Sequence, residues 1–170
     1  MKDILMGDAR CAAQALLGME IISCIDRRTV RAMICETEAY YGFQDKASHA
    51  SRGKTKRNAP MFEIGGTIYV YLVYGMHHCF NVVVGPKEYP AAVLIRGIVM
   101  LPEKKEIRGP GRVTKALGIT SALSGTSIFR DRRIRFGKQI MKPKNIIKMP
   151  RVGVGYAKEW AHKPLRYLIQ

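Results

Sequence analysis

Two carboxylates, Glu36 and Glu38, stand in the run Glu36-Thr37-Glu38-Ala39-Tyr40, which closes an apolar, strand-like stretch beginning at Val30. A carboxylate at the end of such a strand is partly stripped of water. Desolvation disfavours its charged form and poises it as a general base. Taken alone, Glu38 reads more readily as a strand-end acid paired with a lysine. The pair reads either as acid and base, or as a base and the group that orients it. Tyr40, His49 and Tyr71 are rings that could stack on a flat ligand, as base-binding pockets require. Tyrosines in strands also simply pack. Arg96 interrupts the apolar run Ala91-Ala92-Val93-Leu94-Ile95. A guanidinium there must find an anion. The two options are a core ion pair with Glu36, or a place beside the substrate backbone and the reacting water.

Two further features lie between these chemical groups. Arg52, Lys54, Lys56 and Arg57 form a basic loop suited to phosphate contacts. Tyr74-Gly75-Met76 falls where a hairpin turns, between strand-like Thr67–Val73 and Phe80–Val84. An aromatic and a methionine at an exposed tip are unfavourable unless they insert into something. Proteins that open duplexes from the minor groove use apolar wedges of this kind.

The elements that must position these residues follow from periodicity. A strand alternating with period two puts Val30, Ala32, Ile34, Glu36, Glu38 and Tyr40 on one face, running from core into site. Gly42 ends it, and Phe43–His49 reads as a short helix or turn. Upstream, Ala9–Leu17 has helical spacing closed by Gly18, and Met19–Ile25 is a strand with its turn at Asp26–Thr29. Downstream, Pro90–Ile98 is a strand. Gly109-Pro110-Gly111 then precedes a short helix, Val113–Leu117, with Arg112 and Lys115 near its start. Phe129–Gln139 reads as a strand, Lys138–Arg151 as a basic connection, and Arg151–Gln170 closes the domain around Trp160. No repeat or low-complexity segment divides the chain, so residues 1–170 are expected to form one domain.

Charge narrows the partner. Lys and Arg total 29 against 13 acids, a formal net charge of +16 in 170 residues. Such an excess is self-repelling unless a polyanion is near. Nucleic acid comes first, an anionic membrane surface second. The 4 cysteines are scattered, with no Cys-x-x-Cys pair. That argues against a zinc ribbon and for reduced thiols in a cytoplasmic protein. No metal or other cofactor is expected. No apolar run is long enough to span a bilayer, so no membrane partner is expected.

Several blocks, in order, resemble one family. They are ETEAY, ASHA, RGKTKRNAPMF, GTIYVYLVYGMHHCFN and VLIRG, then GPGRVTKALGI and RVGVGYAKEWAHKPLRY. Together they are similar to the alkyladenine DNA glycosylases, also called 3-methyladenine or methylpurine DNA glycosylases, from Ala15 to Tyr167. The resemblance implies a mixed α/β (α+β) domain on a curved antiparallel β-sheet flanked by helices, with a protruding β-hairpin that enters DNA. It implies action on double-stranded DNA, hydrolysing the N-glycosidic bond of a damaged, flipped-out purine; nothing in the sequence points beyond a monomer. Glu38 matches the general base and Arg96 the arginine beside the water and adjacent phosphate. Val152 matches a position whose carbonyl contacts that water. Tyr40 and His49 match one side of the base pocket, and Tyr71 the other. Asn81 matches the side chain that excludes guanine's exocyclic amine. Tyr74 matches the wedge, accompanied by Met76, and Met61 a residue near the engaged DNA. The chain departs from the family at Glu63-Ile64-Gly65-Gly66 and at Gly97-Ile98-Val99-Met100, and neither departure removes a matched residue. Two other classes compete: a non-catalytic basic nucleic-acid-binding protein of RNA or ribosome type, and a hydrolase or transferase of free nucleosides. Neither explains both the acidic strand end and the exposed Tyr-Gly-Met tip.

Overall fold

The computed structural model describes residues 1–170. Two short helices, α1 (Lys2–Met6) and α2 (Ala9–Ala15), open the chain. Asp8 starts α2 by accepting the N–H groups of Arg10 and Cys11, which satisfies donors that the helix start leaves unpaired. The helix stops short of the expected Leu17, with Leu16 as its cap. Gly18, at φ +77°, then turns the chain into the sheet. A β-carbon at Gly18 would lie 1.8 Å from the Met141 carbonyl oxygen, so only glycine fits there.

Strand β1 (Met19–Ile25) pairs antiparallel with β2 (Arg28–Tyr41) through a two-residue turn, Asp26-Arg27, both at positive φ. That geometry matches the natural strand twist. Then come β3 (Ile68–Val73), β4 (His77–Val83), β5 (Ala91–Leu101) and β6 (Glu106–Arg108). Helix α3 (Pro110–Leu117) follows, then β7 (Ile134–Gln139), β8 (Ile146–Met149) and β9 (Arg166–Ile169). All nine strands join one antiparallel sheet whose main path is β3-β4-β5-β2-β1-β7. β6 adds to β5, while β9 bridges β2 and β8. The expected mixed fold on an antiparallel sheet is therefore present. β8 lies inside what reads in sequence as a bare basic connection, and β6 and α1 have no clear sequence signal. Phe43–Ser48 is turn, and a short 3₁₀ segment begins at His49.

One expectation fails in an informative way. Val30, Ala32 and Ile34 belong to the main core with Ala39, not with Glu36, Glu38 and Tyr40. The β2–β5 register explains it: Ile34 pairs Ile98, Glu36 pairs Gly97, and Thr37 pairs Ile95. Cys35 on β2 and Arg96 on β5 are the extra residues of paired irregularities. An extra residue inverts the alternation. Core-facing positions on β2 thus change from even to odd numbers, and on β5 Ile98, Ile95 and Val93 all face the core. Thr37 confirms the inversion by donating its hydroxyl to the Ala13 carbonyl of α2 at 2.8 Å. The carboxylates are turned onto the opposite face, away from α2.

Candidate active site

That opposite face opens into a cavity of about 450 Å³, within the range of about 300–1,000 Å³ usual for small-molecule sites. Its floor is made by β2 and β5, which present Glu38, Tyr40, Ala92, Leu94 and Arg96. Glu38 is fully buried. Two donors hold it, the Tyr40 hydroxyl at 2.8 Å from Oε2 and the Val152 N–H at 3.0 Å from Oε1, and Arg96 Nε forms a looser ion pair at 3.5 Å from Oε1. Burial nevertheless raises the Glu38 carboxyl above its ordinary value, because the opposing pull of Arg96, Val152 and Tyr40 does not offset desolvation. Val152 therefore meets Glu38 through its amide, whereas the resemblance drew attention to its carbonyl. The Tyr40 phenol is kept protonated by burial and by the adjacent Glu38 charge.

Tyr40, His49 and Tyr71 all line the cavity. His49 packs edge-on against Tyr71, ring centroids 4.5 Å apart. Its Nδ1 lies 2.9 Å from the hydroxyl of Tyr69, a buried tyrosine that sequence reading passed over. Tyr69 lies two residues before Tyr71 on β3 and so shares its face, the ring centres 5.3 Å apart. Burial, and then Arg57, lower the His49 pKa, so the ring is neutral at neutral pH. Asn81 is buried on β4, its side-chain amide donating to the Tyr69 and Cys79 carbonyls at 3.1 and 3.2 Å.

Behind Tyr40 stands Arg151, its guanidinium carbon 4.5 Å from the Tyr40 ring centre. Arg151 and Asp45 form a forked pair at 2.6 and 2.8 Å, both side chains without solvent exposure. Arg151 also donates to the Ala39 carbonyl. Nothing local marks Asp45, because its partner is 106 residues away. Glu36, also buried, is met by Arg96 and Arg166, each at 3.0 Å from Oε1. The core ion pair expected as one option for Arg96 is thus real, and Arg96 reaches Glu38 as well.

The outer residues divide. Tyr74 is 89% exposed and Met76 69%, in the turn that joins β3 to β4. Tyr74 takes φ +52°, a left-handed conformation uncommon for a bulky residue. Arg52, Lys54, Lys56 and Arg57 are exposed. Arg57, however, donates to the Leu72 carbonyl at 2.7 Å and covers Tyr71, so it is tied to the hairpin. Lys54 pairs loosely with Glu88. Met61 is 3% exposed and packs with Phe62, Tyr69 and Val83, so it is a wall of the cavity and not an outward contact. Its position in a tight 3₁₀ turn after a buried Asn58 turns it inward.

A buried carboxylate thus faces an aromatic cavity whose lining includes the exposed Tyr74. A family model for methylpurine-DNA glycosylase (MPG) matches residues 3–170. The chain belongs to the methylpurine-DNA glycosylase family. A relative from Anaeromyxobacter dehalogenans is 40% identical over 166 residues, 96% of this chain and 79% of that protein. One from Borreliella afzelii is 39% identical over 158 residues, 89% and 85% of the two chains. One from Ehrlichia chaffeensis is 44% identical over 132 residues, 76% and 73% of the two chains. All three bear the name "Putative 3-methyladenine DNA glycosylase". The methylpurine-DNA glycosylase family match runs through β2, the hairpin, β5 and β9 alike, so the elements that build the cavity all lie within it. No helix is long and apolar enough to cross a membrane.

Proposed function

We propose that this chain is a monofunctional DNA glycosylase. Its substrates are alkylated or deaminated purines, of the 3-methyladenine, hypoxanthine and ethenoadenine type, turned out of duplex DNA into the cavity. The observation that carries the reading is Glu38: a fully buried carboxylate with a raised pKa, facing an aromatic-walled cavity next to an exposed Tyr74.

The chemistry then has a part for each group. Glu38 takes a proton from water as that water attacks the sugar's anomeric carbon. The N-glycosidic bond breaks and the base leaves with the bonding electrons. The carboxylate also faces the positive charge that develops on the sugar. Tyr40 and the Val152 amide fix the carboxylate's orientation. The neutral His49 adds no positive charge to the wall, so a cationic alkylated purine is not repelled, and the electron-rich rings attract it. Asn81 sits where a purine's edge would meet the wall and would oppose the exocyclic amine of guanine. Tyr74, with Met76, fills the gap left in the stack. Arg52, Lys54 and Lys56 hold the phosphate backbone. No lysine lines the cavity, so no amine is placed to form a Schiff base with the sugar.

The test is direct. The protein is incubated with a duplex bearing one hypoxanthine or one alkylated adenine, and abasic sites are cleaved with alkali. Lesion-dependent strand cleavage is expected. No cleavage of either duplex would sink the reading, and release of the base only from free nucleosides would replace it with a nucleoside hydrolase.

A further inference from the structure

Glu36 has no part in the scheme above, yet it is 2% exposed and more heavily surrounded by arginine than Glu38. Its Oε1 takes Arg96 from β5 and Arg166 from β9, both at 3.0 Å. Its Oε2 lies 3.9 Å from Arg108 of β6, which is itself paired to Glu106. Gly97 makes room for it: a β-carbon there would come within 2.8 Å of the Glu36 β-carbon. Arg96 is thus shared unequally, nearer Glu36 than Glu38 by half an ångström on the same nitrogen, 3.0 against 3.5 Å.

We propose that Glu36 is a positioning residue that holds the Arg96 guanidinium off Glu38 and so leaves Glu38 free to take a proton. The inference rests on Glu38 being the base of the excision reaction. Its physical ground is competition. An opposite charge a few ångströms away favours an ionised carboxylate, and a like charge disfavours it. Loss of the Glu36 charge releases Arg96 to Glu38 and removes a neighbouring negative charge. Both changes make Glu38 a weaker base. Loss of Arg166 acts in the opposite sense, because Glu36 then holds Arg96 without a rival and a nearby positive charge is gone. The other groups facing Glu38 stay in place: Tyr40 on its own strand, Arg151 and the Val152 amide from the closing segment, Tyr71 from β3 and Cys79 from β4. Cys35 and Glu106 face Glu36 from the bulge and from β6.

The experiment is single-turnover excision of ethenoadenine from a duplex as a function of pH, with wild type, Glu36→Gln, Glu36→Asp and Arg166→Gln. For Glu36→Gln the acid limb is expected to move down by about one pH unit, with the plateau rate lowered roughly tenfold. For Arg166→Gln the limb moves up. Glu36→Asp, which keeps the charge, retains the wild-type limb. A merely structural role for Glu36 would lower the yield of folded enzyme and leave every limb in place. An unmoved or raised limb in Glu36→Gln overturns the proposal. If that variant does not fold, an unmoved or lowered limb in Arg166→Gln overturns it instead. A wild type inactive on every lesion would refute the glycosylase reading itself.

Discussion

Glu38 is held between opposing demands. Burial favours its neutral form, while Arg96, the Val152 amide and the Tyr40 hydroxyl favour its anion. Burial wins, and the sign of the consequence is fixed. A carboxyl whose folded value lies above its unfolded value keeps a proton that the unfolded chain has lost. Between the two values stability falls as pH rises, and above both the site is a net destabiliser. Glu38→Gln cannot ionise, so at pH above the unfolded carboxyl value it should melt at a higher temperature than wild type, by calorimetry. It should bind lesion DNA and lose excision by roughly 10²–10⁴-fold in single-turnover assays. Full activity in that variant would remove Glu38 as the base. The Asp45–Arg151 pair behaves differently, because removing one partner strands a buried charge. Asp45→Asn should cost about 3–5 kcal/mol in denaturant unfolding. A cost below 1 kcal/mol would mean that Arg151 finds water or another acceptor. Glu38 and Arg96 were legible as residue types in apolar runs. Asp45, Arg151 and Arg166 were not, since only long-range pairing gives them meaning.

At the scale of elements, β2 and the β3–β4 hairpin carry the site. Their existence and type were plain from composition: branched and aromatic residues bounded by glycine read as strands, and Gly75 marks the turn. The facing of β2 was not. A strict alternation through Ile34 to Tyr40 places the acids toward the core, and nothing in Cys35-Glu36 announces that one residue is extra. The bulge becomes visible only when β5 is laid alongside, where Arg96 is skipped in compensation. The contact of His49 with Tyr71 was not legible either, because the loop that carries His49 has a path the sequence does not specify. The hairpin end does lend itself to a clean experiment. Tyr74 contacts solvent, so Tyr74→Ser should change folding stability by no more than about 0.5 kcal/mol. It should also slow excision and weaken lesion-specific binding measurably. Unchanged excision kinetics would take the wedge role away from it.

At the scale of the whole molecule, the net charge of +16 in 170 residues sets how the protein meets DNA. Each phosphate neutralised releases counterions, so affinity falls linearly in a log–log plot against salt. Lys56 is exposed and makes no ion pair within the protein. Lys56→Ala should weaken binding to damaged and undamaged duplexes alike and lower the salt slope by about one. The rate of excision at saturation should not change. A loss confined to damaged DNA would place Lys56 at the pocket instead. Composition gave the partner class because charge is a sum and needs no fold. The order of strands in the sheet, with β9 beside β2 and β8 beyond it, is invisible to any sum.

That order has a consequence for how the protein comes into being. Strand β9 pairs with Glu36, Thr37 and Glu38, and the Val152 amide and Arg151 guanidinium close the same region. Synthesis delivers the carboxylates, the rings, the basic loop and the hairpin long before it delivers these partners. A nascent chain halted ahead of Pro150 would present its DNA-facing parts with the reaction centre unfinished and Asp45 lacking its mate. The reaction centre proposed for Glu38 is therefore completed only once residues 150–169 are present, and a chain cut short before them is expected to bind DNA without cutting it.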